Sequence, residues 1–98
     1  MKTYYVYILE CSDNSYYTGF TSDLSKRIFE HKAGIHPNSY THRRRPLKLV
    51  FYAEFTNASL AIESEKQIKK WSRAKKRALI DGEFDKLPAL AKKSFNSP

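Results

Sequence analysis

Two phenols, a guanidinium, an imidazole and a carboxylate follow one another along this chain as Tyr7, Tyr17, Arg27, His31 and Glu65. A phenol can take or orient a proton, and an imidazole can hold one. A guanidinium matches the oxygens of a phosphate, and a carboxylate is a hard ligand for a divalent cation. Together such groups can attack a phosphodiester and stabilise the charge that develops on it. Each also has a plainer use. Tyrosine is a good strand residue, arginine lays its stem along apolar surface, and a sequestered glutamate can close a structural ion pair. What separates the two uses is whether the fold gathers the five residues.

The elements that would gather them are legible in the pattern. Residues Tyr4 to Glu10 alternate with period two and are rich in tyrosine, valine and isoleucine, which predicts a strand. Ser12-Asp13-Asn14-Ser15 is turn chemistry, and Tyr16 to Phe20 returns as the second arm of a hairpin. Tyr5, Tyr7 and Leu9 then share one face, with Tyr4, Val6 and Ile8 on the other. Tyr17 and Gly19 share a side, which places Tyr7 and Tyr17 at one site and leaves Gly19 open to close approach by backbone or phosphate. Thr21, Ser22 and Asp23 offer helix caps, Leu24 to Lys32 has helical spacing, and Gly34 ends it. Leu24, Arg27, Ile28 and His31 fall on one helical face. Leu24 and Ile28 are its core-facing members, with Arg27 and His31 at the edge of the stripe.

Residues Ile35 to Pro46 lack periodicity and read as a basic loop, and Leu47 to Phe55 is an apolar third strand. Thr56 or Asn57 caps a helix running to about Trp71. Ser72 caps another from Arg73 to Ile80, ended by Gly82. The order is ββα-β-αα, an α+β arrangement of a three-stranded sheet packed by helices. Within the helix that begins near Asn57, a turn of about 100° per residue puts Glu65 and Ile68 within about 40° of Ala61, and Glu63 nearly opposite. Glu65 is therefore a carboxylate set in an apolar stripe. That is costly unless it is paired or binds metal.

Ninety-eight residues allow one core, assigned to 1–82, with a tail at 83–98 whose Leu87, Leu90 and Phe95 would dock or fray. Cys11 is the only cysteine, which rules out an internal disulfide and a cysteine-rich zinc site. The N-terminal residues enter a strand pattern directly, and no apolar run approaches the ~18 residues of a membrane span. The expectation is a soluble, cytoplasmic protein with no membrane contact, and no protein partner is identifiable. A formal net charge of +8 favours a polyanionic partner. Two basic runs carry it: His42-Arg43-Arg44-Arg45 with Lys48, and Lys66 through Arg77 with seven lysines or arginines around Trp71. Lys26, Arg43, Arg44, Arg45, Lys69, Lys70 and Arg73 are the candidate contacts to a nucleic-acid backbone.

The order Tyr5-Val6-Tyr7, Tyr17-Thr18-Gly19, Arg27-x-x-x-His31 and Glu65 resembles the GIY-YIG nuclease superfamily, and most of all its small single-domain bacterial members. The likeness covers roughly Tyr4 to Ile80. Tyr40-Thr41 with Arg44-Arg45-Pro46, and Glu65-x-x-Ile68-Lys69 running into Trp71-Ser72-Arg73, add to it. The resemblance implies an antiparallel three-stranded sheet flanked by helices. It also implies hydrolysis of DNA phosphodiesters, RNA being left open, with one divalent ion, Mg²⁺ or Mn²⁺; the alternative is a non-catalytic nucleic-acid-binding module of the same fold. By position, Tyr7 and Tyr17 match the tyrosines of the two motifs, Arg27 and His31 the family's arginine and histidine, and Glu65 its metal-binding glutamate. Tyr5 stands where the first motif has glycine, Thr18 where the second has isoleucine, and no asparagine lies between Glu65 and Asn96. The mechanism expected is in-line hydrolysis. Tyr7 would serve as base and Tyr17 would orient water, or the reverse. Arg27 would act on the phosphate, and His31 would bond a tyrosine hydroxyl or a phosphate oxygen.

Overall fold

The computed structural model describes residues 2–83. Strand β1 (Tyr4–Glu10) is central, with β2 (Tyr16–Thr21) on one side and β3 (Lys48–Phe55) on the other, both antiparallel. The β1–β2 turn is held by Asp13, whose carboxylate accepts from the Ser15 amide at 3.0 Å and its hydroxyl at 2.6 Å. Asn14 supplies the left-handed residue there, at φ 67°. The β1–β3 register slips between Ile8 and Leu9, which pair with Phe51 and Leu49. Val50 is the extra residue of that bulge.

Each helix begins on a side-chain cap that satisfies an orphan amide. Asp23 accepts from Lys26 at the start of α1 (Leu24–Ala33), Asn57 from Leu60 at α2 (Ala58–Lys69), and Ser72 from Lys75 at α3 (Arg73–Ile80). Such caps contribute about 1 kcal/mol each. Gly34 closes α1 in the left-handed conformation, φ 71°. The second helix is two residues shorter than its pattern predicts, because the chain turns at Lys70 before Trp71.

Strand alternation sends apolar side chains to both faces of the sheet. Val6 and Ile8 meet Ala61 and Ile68 of α2 and Ala78 and Leu79 of α3, with Phe20, Phe51 and Phe55 packed around them. Leu9, Cys11 and Leu47 pack against Ile28 of α1, Leu49 and Tyr17 on the other face. The sheet is thus clamped between α1 and the α2–α3 pair. Truncating Ile8 or Ile68 in the larger cluster costs about 2–5 kcal/mol. Cys11 is a core residue, and burial pushes its thiol up. The loop between α1 and β3 contains one 3₁₀ turn, His42–Arg44. No helix among the described residues is long and apolar enough to cross a membrane. The tail residues Leu87, Leu90 and Phe95 lie outside the described residues.

Candidate nuclease site

Tyr7 sits at the middle of the central strand, paired with Gly19, and its side chain is wholly buried. A Cβ at residue 19 would lie 2.4 Å from both Cζ and Oη of Tyr7. The close approach that Gly19 permits is therefore that of the Tyr7 phenol, not of a phosphate or another backbone. The phenol oxygen is 2.9 Å from Nε2 of His31, and His31 Nδ1 is 3.0 Å from Oγ1 of Thr41. Thr41 in turn lies 2.9 Å from Oγ of Ser39.

The proton positions in this chain follow from the inventory of donors. The Arg27 charge acts on Tyr7, and a guanidinium can only donate. Of these two neighbours only Nε2 can take the Tyr7 proton. Tyr7 then donates to His31, Nδ1–H donates to Thr41, and the Thr41 and Ser39 hydroxyls share the next hydrogen bond. Burial, then the Arg27 charge, lowers the His31 pKa, so the imidazole is neutral at pH 7. Burial pushes the Tyr7 phenol up to about 12, with Tyr17 adding to the rise and Arg27 offsetting part of it.

His31 is the buried residue of α1, more enclosed than Leu24 or Ile28. The sequence pattern places it at the edge of the stripe. The correction has a local cause: Tyr7 and Thr41 satisfy both ring nitrogens, so the imidazole can be enclosed at little cost. Arg27 does lie at the edge, half-exposed and 3.5 Å from Glu30. It borders a pocket of about 180 Å³ lined also by Thr21, Asp23 and Lys26.

Glu65 and Glu63 sit as helical phase requires. The Glu65 side chain is 12% exposed and bonded to Lys69 at 3.1 Å, while Glu63 is exposed. Although α2 packs on the opposite face of the sheet, the Glu65 charge reaches Tyr7 and raises its pKa. Among the described residues no three acidic, histidine or cysteine side chains converge to enclose a metal. A single sheltered carboxylate suits a different kind of site, one in which a hard cation takes its remaining ligands from water and substrate phosphate. The residues fit a divalent ion of that open type.

Tyr17 is the half-buried phenol. Its ring meets His31 edge-on at 5.3 Å between centroids and Tyr7 at 6.4 Å. Outward it stacks on Tyr40 at 6.0 Å and 22°, and the Arg44 guanidinium lies 3.8 Å above Tyr40. The basic residues fall into two groups by their partners. Arg44 is held by Asp13 and the Tyr40 carbonyl, and Arg45 by the His42 carbonyl and against Gly34. Arg73 lies over Tyr16 and donates to the Asn14 carbonyl, and Lys69 is bound to Glu65. Lys26, Arg43 and Lys70 are exposed and form no ion pair with a described residue.

Sequence reasoning did not single out Ser39, Thr41 or Tyr40 as members of the site. They come from an aperiodic loop, and the only signal they carry is the Tyr40-Thr41 pair.

Sheet, flanking helices and the clustered phenols, imidazole, guanidinium and carboxylate define a small nuclease-type α+β domain. A family model described as the GIY-YIG catalytic domain matches residues 3–78. The chain belongs to this family. Among its relatives is a UPF0213 protein of Syntrophus aciditrophicus, 49% identical over 80 residues, covering 82% of this chain and 92% of the relative. The solution structure of a UPF0213 protein from Bacillus halodurans is 35% identical, covers 98% of this chain and 99% of its own, and superposes with a TM-score of 0.55. A second solution structure, of a protein from E. faecalis, is 31% identical over 86% of this chain and 88% of its own, with a TM-score of 0.60.

Proposed function

We propose that this protein is a metal-dependent endonuclease that hydrolyses DNA phosphodiesters, with RNA as the other candidate polymer. The observation that carries the reading is the buried Tyr7–His31–Thr41 hydrogen-bond chain, which ends on Arg27 and lies against Tyr17. A structural core gains nothing from setting a half-exposed guanidinium beside a buried phenol. A site that must hold an arginine and a phenol in fixed geometry does gain.

The geometry favours the second of the two assignments of the tyrosines, with Tyr17 as base. A base must lie within about 2.6–3.2 Å of the proton it takes, and the Tyr7 side chain is completely enclosed. Tyr17 is half-buried and faces a groove, so it is the phenol that meets the attacking water. The Lys69 ammonium lies 6.0 Å from its ring centroid. Tyr7, with its proton already directed at His31, presents an oxygen lone pair to Arg27 and fixes that guanidinium for the phosphate. A divalent ion held by Glu65 would neutralise phosphate charge and make its bound water more acidic.

The test is cleavage of single-stranded, duplex, flap and branched DNA in Mg²⁺, Mn²⁺ and EDTA. Cleavage is expected with metal, to be lost in Glu65→Gln and reduced on the order of 10²- to 10⁴-fold in Tyr17→Phe. No cleavage of any substrate with either ion, or a Glu65→Gln protein cutting at the wild-type rate, would overturn the reading.

A further inference from the structure

Against Tyr17 lies an open groove of about 340 Å³ lined by Tyr16, Tyr17, Thr18, Tyr40, Lys69 and Lys76. Lys76 is a residue for which the site described above has no use. It comes from α3, is half-buried, and converges on Lys69 from α2. Lys69 shares its charge with Glu65, but Lys76 forms no ion pair with any described residue. Burial and the charge of Lys69 together lower its pKa, the behaviour of an ammonium that lacks a counter-ion.

The surroundings increase the imbalance. Arg73 and Arg77 flank the groove through Tyr16, the first over its ring and the second 3.1 Å from its hydroxyl. The carboxylates nearby are committed, Asp81 to Arg77 and Asp13 to Arg44. In the same wall the Thr18 hydroxyl is buried with no hydrogen-bond partner among the described residues. A buried polar group without a partner calls for an explanation, and here it sits beside two cations.

We infer that Lys69 and Lys76 form a second phosphate subsite, which receives the backbone phosphate next to the one being cut. Two flexible ammoniums suit a phosphate's spread of oxygens, and the tyrosine walls suit the sugar and base that connect two phosphates. Tyr17 lines this groove and packs against Tyr7, on which the Arg27 charge acts, so one nucleotide would straddle its ring. The subsite rests on the nuclease reading for its role in the reaction, but its affinity for phosphate does not depend on cleavage.

The experiment compares thymidine 3′,5′-bisphosphate with the two thymidine monophosphates, binding to the full chain being measured calorimetrically in EDTA. The bisphosphate is expected to bind about tenfold more tightly than the better monophosphate, the worth of one charge-assisted contact. In Lys76→Met, which keeps the buried stem, that advantage should fall to within about twofold, with monophosphate binding little changed. Lys76→Gln should behave alike. In the wild-type protein the Lys76 Cε resonances should shift on adding inorganic phosphate, which needs no variant. A bisphosphate advantage that survives both substitutions, or is absent from the wild type, would overturn the subsite. A negative cleavage panel with a collapsing advantage would remove the nuclease reading and leave the subsite. Cleavage with a surviving advantage would do the reverse.

Discussion

Gly19→Ala adds one methyl group, and the structure specifies what that group meets. The Gly19 backbone has no positive φ, so alanine could adopt its conformation without strain. The only objection is Tyr7, whose Cζ and Oη lie 2.4 Å from the new Cβ. Ordinary contact begins near 3.4 Å, so the phenol must retreat by about 1 Å. The ring is fully buried and has nowhere to swing. A retreat of that size carries the 2.9 Å bond to His31 out of hydrogen-bonding range. Overpacking costs about 1–3 kcal/mol, and a buried hydrogen bond broken on one side costs a similar amount. The expected loss is about 2–4 kcal/mol, or on the order of 10–25 °C in melting temperature for a domain of this size. Urea denaturation measures it as a lower midpoint at unchanged slope. A double-mutant cycle isolates the cause. In a Tyr7→Leu background, which removes the ring, the alanine should cost less than about 0.5 kcal/mol. If alanine is equally costly in both backgrounds, or is tolerated in the wild type, the packing argument fails.

Other expectations follow from the same geometry. Glu65→Gln should abolish Mn²⁺ binding, seen as loss of paramagnetic broadening at neighbouring residues, whereas Glu63→Gln, on the solvent face, should leave it intact. Because the folded-state pKa of His31 is depressed, the unfolded chain binds more protons just below the ordinary histidine pKa. Stability should therefore be full above about pH 6.5 and fall on acidification, and His31→Gln should flatten that limb of the pH–stability curve. The Tyr7 phenol is raised to about 12, so its contribution should be present below pH 10 and be lost between about pH 10 and 12; Tyr7→Phe should lack that alkaline limb. Arg43→Ala should weaken DNA binding and lower the salt slope by about one, with no change in melting temperature. Arg44→Ala, which releases Asp13 and Tyr40, should also destabilise the domain.

Most of the fold is written in local signals. Asp23 and Gly34 bound α1, Asn57 and Ser72 begin α2 and α3, and the alternation of β1 sorts Tyr7 from Val6 and Ile8. The phase of α2 separates Glu65 from Glu63 because a helix imposes its period on every residue it contains. What stays hidden has no period to carry it. Thr41 reaches His31 from a loop whose backbone follows no repeat, and only tertiary packing brings the two together. The burial of His31 is hidden for the same reason, since its enclosure depends on that loop. Lys76 falls in a run of basic residues that reads as a solvated face, and α3 must be docked on the sheet before it stands apart from its neighbours. The proposed role of Tyr17 as base rests on Tyr7 being sealed beneath α1, a difference in depth that strand alternation alone cannot express.

The position of Tyr7 at the centre of the middle strand bears on how inactive relatives of this protein should be recognised. A descendant that ceased to cut would still need that ring to fill the sheet, that imidazole to receive its proton, and a glycine opposite to make room. Loss of function would leave these three untouched for as long as the domain folded. Arg27 and Glu65, half-exposed or sheltered at the rim, contribute far less to holding the molecule together and would drift first. A tyrosine at position 7 therefore testifies to architecture, and the arginine and the glutamate testify to use.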